Sequence, residues 1–182
     1  MHRTQHFTRR AALGMVATWQ VGMFSQPASA SQAEVLAAAE FTDERNIVHH
    51  LNELTRPLLL VNLWAAWCPS CRAEMPTLQA LASRLGPDKI DVVLLSHPMN
   101  WNADLAYARD AGLPFRHWRL SNRVPEPVVA VAFRVQGDRF GLPQSLVFAG
   151  RRRELVASYL GSRDWTAPDL LRLAHGWLDS VG

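Results

Sequence analysis

The sequence predicts an α/β fold in a single domain, with a mixed central sheet flanked by helices. Strands and helices alternate between Leu58 and Ala111, which is typical of parallel βαβ pairing. Two further strands then flank a turn at Gly150–Arg152, and an amphipathic helix closes the chain. A parallel βαβ half followed by an antiparallel hairpin requires a sheet that contains both kinds of pairing.

The parallel half begins with the nearly continuous apolar run Leu58–Trp64, as expected for a central strand covered on both faces. A helix follows Cys68, because apolar residues recur at helical spacing until Gly86 and Pro87 end it. A second buried strand is predicted at Asp91–Ser96, and a short helix at Asn102–Ala111.

The second half is less regular. Residues 113–125 are predicted to be irregular, and Glu126–Gln136 to form another helix. Ser145–Phe148 and Glu154–Leu160 form the two strands of the hairpin. The closing helix is predicted at Thr166–Ser180, where leucine, alanine and tryptophan supply one apolar side.

The length of 182 residues accommodates one ordinary domain. A hydrophobic content of 48% with 19% charged residues is typical of a globular protein. The net charge of +3 comes from Arg3, Arg9 and Arg10, since the first thirty residues contain no acidic side chain. The remaining sixteen basic residues balance sixteen acidic ones, which argues against nucleic acid as a partner.

The N-terminus has the pattern of an export signal. Arg9 and Arg10 precede a moderately apolar run, Ala11–Phe24, and Ala28–Ala30 supplies the small residues that signal peptidase requires. We therefore expect a signal peptide over 1–30, cleaved near Ala30, and a domain over 31–182 in the periplasm. The alternatives are a disordered tail or an uncleaved anchor.

The export route stays open. The segment Thr8–Leu13 resembles a twin-arginine signal but has Ala12 where phenylalanine is usual, so export by the Sec route is also compatible with the sequence. Within 31–55, the sequence predicts only a helix over Glu44–Leu54.

The two cysteines of the chain are Cys68 and Cys71. Exported proteins use disulfides to close long loops, and a bond across three positions closes almost none. Cys68 lies where the helix begins, and Pro69 suits the first helical position. Unpaired N–H groups at a helix N-terminus stabilise a thiolate, which is the nucleophile in disulfide exchange. Cys71, one turn later, can resolve the mixed disulfide.

Two other interpretations of the pair are weaker. The cysteines could be half of a zinc site, but no second pair completes it. They could also be inert core residues, although a helix start between Trp67 and Pro69 is seldom deep core. The residues thus favour redox chemistry that needs no cofactor beyond a Cys68–Cys71 disulfide, and no metal.

The segment Val61–Pro76, VNLWAAWCPSCRAEMP, resembles the active-site stretch of the TlpA/ResA/CcmG group. These proteins are exported and have the thioredoxin fold, and many of them are reductases. The resemblance is close over this segment and extends in outline across 56–182. It implies that Cys68 attacks, that Cys71 resolves, and that Pro76 kinks the active-site helix.

Glu74 is the candidate proton acceptor for Cys71. Cytoplasmic thioredoxin has a buried aspartate where this chain has Asn62, and an amide cannot exchange a proton in that way. Glu74 lies on the next helical turn after Cys71, and in the similar family a glutamate here is linked to the acid–base behaviour of the pair. The alternative is an ordinary exposed helix glutamate.

Pro143 is the second landmark of the resemblance. It implies a cis Leu142–Pro143 bond facing the cysteine pair, where the Leu142 backbone binds a substrate strand. An ordinary trans proline at a strand start is the alternative. We expect Trp67, Pro69, Leu142 and Pro143 to contact substrate. Gln144 departs from the family, which commonly has threonine at that position.

The predicted function is that of a periplasmic thiol:disulfide oxidoreductase, a reductase of exported proteins in cytochrome c maturation or copper-centre assembly. The resemblance implies a membrane thiol electron donor, and we expect a monomer. An oxidase or isomerase is the alternative within the class, because CxxC spacing does not determine direction. A Cu(I) metallochaperone using the cysteines with His97 or Met99, and a redox-inert interaction domain, are alternatives from other classes.

Overall fold

The computed structural model describes residues 36, 39–96, 98–121 and 141–181. The described residues form ten strands and helices in chain order: β1 Phe41–Thr42, β2 Val48–His49, β3 Leu58–Trp64, α1 Pro69–Leu85, β4 Ile90–Ser96, α2 Trp101–Asp110, β5 Arg116–Leu120, β6 Gln144–Ala149, β7 Glu154–Leu160 and α3 Pro168–Asp179. Short 3₁₀ turns occur at Leu51–Glu53 and Pro98–Asn100. Within the described residues, none of the helices has both the length and the apolarity that a membrane crossing requires.

The strands form one mixed sheet in the order β2-β1-β5-β4-β3-β6-β7. The pairs β3–β4 and β4–β5 are parallel, and the remaining pairs are antiparallel. The predicted α/β class, with a parallel βαβ half and an antiparallel hairpin, is therefore confirmed. The carboxyl ends of β3 and β4 lie at the same edge of the sheet, since Trp64 pairs with Ser96.

The strand β3 is covered on both faces, as its apolar composition predicts, and all seven of its residues are buried. One face packs against α1 and α3 in a core that includes Leu60, Trp64 and Met75. The other face contributes to a second core on the opposite side of the sheet, which includes Phe41 of β1, Phe148 of β6 and Leu51 of the first 3₁₀ turn. Because side chains alternate along a strand, Asn62 lies on the same face as Leu60 and Trp64, towards α1.

The boundaries of the main elements match the prediction within a few residues. The helix α1 ends at Leu85 and Gly86 is its C-cap, with a φ of 93° that glycine adopts readily. Gly150, in the predicted hairpin turn, has a φ of 67°, which is also a conformation that glycine adopts readily. The closing helix is shorter than predicted and spans Pro168–Asp179.

The predicted helix over Glu44–Leu54 is wrong. The segment contains a tight turn, the strand β2 and a 3₁₀ turn. Asp43 accepts hydrogen bonds from the backbone N–H groups of Arg45 and Ile47, both at 2.9 Å, and Asn46 has a φ of 60°. An aspartate that caps a turn in this way competes with helix formation.

Residues 113–125 are not wholly irregular, because they include the strand β5. Its polar residues Arg116, His117 and Arg119 mask its strand character in the sequence. The segment is nevertheless a strand because it pairs with β4 on one side and with β1 on the other. The helix predicted at Glu126–Gln136 and the signal peptide predicted at 1–30 lie outside the described residues.

Candidate active site

The site is built on the connection between β3 and α1. After Trp64 the chain makes a tight turn, in which the backbone N–H of Cys68 donates to the carbonyl of Ala65 at 3.0 Å. Cys68 is then the N-cap of α1, and Pro69 is its first residue. Proline suits this position because its missing N–H would have no partner within the helix.

Cys68 and Cys71 form a disulfide, with a Cα–Cα distance of 5.3 Å. Both are buried, Cys71 completely and Cys68 with 4% of its surface exposed. The backbone N–H of Cys71 donates to the Sγ of Cys68 at 3.2 Å, and the Ser70 hydroxyl lies 3.3 Å from the same sulfur. On reduction these donors and the positive end of the helix would stabilise a thiolate on Cys68.

Glu74 lies one turn after Cys71 and is buried, with 1% of its surface exposed. Asn62 Nδ2 donates to its Oε1 at 2.5 Å, and the backbone N–H of Arg163 donates to its Oε2 at 2.9 Å. Burial raises the pKa of Glu74 from 4.5 to about 7, although both hydrogen bonds favour the charged form. The side chain is therefore not an exposed helix glutamate, and it titrates in the range useful for proton transfer.

Asn62 connects three elements beneath the pair. Its Nδ2 also donates to the hydroxyl of Ser145 on β6 at 2.9 Å. Its Oδ1 is buried and has no hydrogen-bond partner among the described residues. The sequence analysis considered Asn62 only as a residue that cannot exchange a proton. A polar side chain in a fully buried strand requires a partner, and that signal could have predicted its contact with Glu74.

The Leu142–Pro143 peptide bond is cis, as the resemblance implies. Gln144, the next residue, pairs with Leu63 near the end of β3, so Pro143 lies at the sheet edge from which the turn to Cys68 leaves. Leu142 is half-buried and packs against both cores. Trp67 and Pro69 are exposed, Trp67 with 61% of its surface. The structure thus places all four predicted substrate contacts at this edge.

Asp104 is a residue of this region that the sequence analysis missed. It lies on α2 with 1% of its surface exposed, and its Oδ1 accepts a hydrogen bond from the backbone N–H of Ala66 at 2.6 Å. The signal was present in the sequence. On a helix that starts beside the active-site edge of the sheet, a carboxylate on the inward face needs a donor nearby.

The sequence analysis considered His97 and Met99 as copper ligands beside the cysteines. His97 lies outside the described residues, and Met99 is exposed over 86% of its surface. Within the ranges described, no three histidine, cysteine or acidic side chains lie close enough to hold a metal ion.

Part of the sequence is similar to a known thiol:disulfide interchange protein. A thiol:disulfide interchange protein DsbE homolog from Paracoccus denitrificans is 38% identical over 88 residues, which are 48% of this chain and 42% of that protein. The match thus spans less than half of the relative. No protein-family profile matches the sequence.

Solved structures show the fold. A thiol:disulfide interchange protein of the thioredoxin family from Chlorobium tepidum superposes with a TM-score of 0.60 at 20% identity, over 78% of this chain and 95% of that one. A thioredoxin-related protein from Neisseria meningitidis superposes with a TM-score of 0.57 at 22% identity, over 75% and 99%. The chain therefore has a thioredoxin-like fold, and about half of it is similar in sequence to a thiol:disulfide interchange protein.

Proposed function

We propose that this protein is a thiol:disulfide oxidoreductase that reduces disulfides of exported proteins. The observation that carries the proposal is the Cys68–Cys71 disulfide at the N-terminus of α1, where Cys68 Sγ accepts the N–H of Cys71. A pair in this position closes a loop too short to add stability, but it can open and close without rebuilding the helix.

The proposed reaction has two exchanges. The Cys68 thiolate attacks one sulfur of the substrate disulfide, the S–S bond breaks, and the other substrate sulfur leaves as a thiolate. Cys71 then loses its proton and attacks Cys68 Sγ. The S–S bond of the mixed disulfide breaks, the second substrate sulfur leaves as a thiolate, and the Cys68–Cys71 disulfide forms. Two electrons pass from the pair to the substrate, and an external dithiol must return them.

Glu74 is proposed as the group that accepts the proton from Cys71. It lies one turn further along α1, and its pKa of about 7 lets it gain and lose a proton at neutral pH. The carboxylate is kept from water, and its two hydrogen bonds from Asn62 and Arg163 hold it in one orientation. This arrangement supports a role in the second exchange, because Cys71 is completely buried and needs a local base.

The cellular setting is also proposed. The N-terminal signal pattern and the DsbE homolog support export to the periplasm, where clients would be apocytochrome c thiols or a copper-centre cysteine pair and a membrane thiol protein would be the donor. Mass spectrometry of the protein from a periplasmic extract tests this. A mature N-terminus near Ser31 supports export with cleavage, whereas an intact Met1 in the cytoplasm would contradict it.

The direction of exchange is tested by the reduction potential of the pair, measured against dithiothreitol and glutathione buffers. A value at or below about −270 mV, that of thioredoxin, supports the reductase. A value near about −120 mV, that of a strong oxidant, would make the protein a disulfide donor instead. The Cys68→Ser and Cys71→Ser variants are the controls, since neither can form the disulfide.

A further inference from the structure

The turn that precedes Cys68 carries an exposed aromatic side chain. The hydrogen bond from Cys68 to Ala65 closes the turn, and Ala66 and Trp67 are its two central residues. Trp67 is exposed over 61% of its surface and directly precedes the sulfur proposed to attack. Large exposed aromatic residues anchor protein partners, so the position of this ring affects how a protein disulfide approaches Cys68.

A buried carboxylate from another element holds this turn. Asp104 lies on α2, which follows β4 and thus belongs to the neighbouring βα unit. Its Oδ1 accepts the N–H of Ala66 at 2.6 Å, and only 1% of the residue is exposed. A hydrogen bond in a buried site is electrostatically stronger than the same bond in water.

The contacts of Cys68 differ from those of Ala66. Cys68 is held by the start of α1, by Cys71 N–H and by the backbone bond to Ala65. The bond to Asp104 acts one residue before Trp67. Loss of the Asp104 acceptor should therefore displace the Trp67 side of the turn more than the sulfur itself.

We propose that Asp104 is a positioning residue for thiol–disulfide exchange, which acts by holding the Ala66–Trp67 turn in the orientation that a protein disulfide requires. The proposal rests on the proposed function for its protein substrate, but the hydrogen bond itself is testable without it. In this role Asp104 acts through the turn and not on the reacting sulfurs themselves. Its effect is on the encounter with large substrates and not on the reactivity of Cys68 towards small reagents.

The test compares two rates on the reduced full-length protein. One is kcat/KM for reduction of insulin, a model protein disulfide, and the other is alkylation of Cys68 by iodoacetamide. For Asp104→Ala we expect insulin reduction to fall about tenfold, mainly through KM, and alkylation to stay within about twofold. Asp104→Asn should recover most of the loss, because the amide oxygen can accept the same N–H.

The matched control is Asp91→Ala. Asp91 is another buried aspartate, paired with Arg56 and Arg116 at the opposite end of β4. It should lower thermal stability while leaving the ratio of the two rates unchanged. If Asp104→Ala does not fold, Asp104→Leu fills the same space without an acceptor and takes its place. An equal fall of both rates in the folded Asp104 variants would overturn the proposal.

Coupling to Trp67 gives a second criterion. If Asp104 acts through Trp67, the double variant Asp104→Ala/Trp67→Ala should reduce insulin no more slowly than Trp67→Ala alone. If the double variant instead shows the product of the two single-variant losses in insulin reduction, the residues act independently and the proposal is contradicted.

Amide hydrogen exchange distinguishes a failure of the Asp104 inference from a failure of the proposed function. We expect the Ala66 amide to exchange at least about tenfold faster in Asp104→Ala than in the wild type. Equal exchange rates would overturn the inference whatever the activity. A wild-type protein that is alkylated at Cys68 but does not reduce insulin would instead count against the proposed function.

Discussion

The side-chain amide of Asn62 donates a hydrogen bond to the carboxylate of Glu74 at 2.5 Å, and neither residue reaches solvent. This contact joins the central strand to the active-site helix one turn after Cys71. It favours the charged form of Glu74, whereas burial favours the neutral form and is the larger effect. The balance leaves the pKa of Glu74 at about 7, so a modest change at either residue should alter the chemistry of the pair.

Replacing Glu74 by glutamine should slow the release of substrate from the mixed disulfide. Glutamine keeps the shape but cannot accept a proton from Cys71, and general base catalysis contributes roughly 100-fold or more. In the wild type, the single-turnover rate of release should rise with pH through an inflection near 7. We expect the variant to lack this inflection and to be about 100-fold slower at pH 8. Alkylation of Cys68 is the control and should change little, and an unchanged pH profile would remove Glu74 from the mechanism.

Glu74 should also make the oxidised protein less stable as the pH rises. Its pKa is raised from 4.5 to about 7 on folding, so the folded state binds this proton more tightly than the unfolded state. The contribution is complete below pH 4.5 and is lost as the pH rises through 7. One pKa unit corresponds to about 1.4 kcal/mol, so the free energy of unfolding should fall by about 3 kcal/mol over this interval.

The measurement is urea unfolding of the disulfide form, in which the cysteines do not titrate, compared between wild type and Glu74→Gln. Burial lowers the pKa of His117, so this residue destabilises the fold as the pH falls below 6.5. That opposite effect is common to both proteins and cancels in their difference. A difference that does not depend on pH would show that the pKa of Glu74 is not raised.

Replacing Asn62 by alanine should raise the pKa of Glu74 further. The variant loses the N–H that stabilises the carboxylate, and burial then acts with less opposition. We expect the inflection in the release rate to move to higher pH and the protein to lose about 2 kcal/mol of stability. Ser145→Ala is the matched control, because it removes the other partner of Asn62 Nδ2 and leaves the Glu74 contact intact. An inflection that stays in place in Asn62→Ala would show that the amide does not influence the carboxylate.

The Cys71→Ser variant should trap client proteins as mixed disulfides. Cys68 can still attack, but no second thiol is present to release the substrate. Expressed in its own cell, the variant should yield covalent adducts that dithiothreitol removes, and mass spectrometry can identify the partners. Cys68→Ser is the control and should yield none. Adducts in the Cys68→Ser variant but not in Cys71→Ser would reverse the assigned order of attack.

Local patterns in the sequence were sufficient to predict the central strand and the active-site helix. The apolar run of β3, the helical spacing in α1 and the stop at Gly86 are all short-range signals, so the structure matches them closely. The position of Cys68 at a helix start also follows from neighbouring residues. Short polar segments carried weaker signals. The segment 44–54 was predicted as a helix, although Asp43 caps a turn there, and β5 was missed because its stability comes from its two neighbouring strands.

The sequence by itself determined the α/β class, the redox pair and the candidate base, because these depend on residue type and on spacing along the chain. Only the tertiary structure decided what surrounds them. Asn62 and Glu74 are twelve positions apart, and Ala66 and Asp104 are thirty-eight apart. Such contacts depend on how the sheet and helices pack, and packing also removes the water that would otherwise keep Glu74 at an ordinary pKa. The residues that carry the chemistry could therefore be predicted from the sequence, whereas their hydrogen-bond partners and burial depend on the fold.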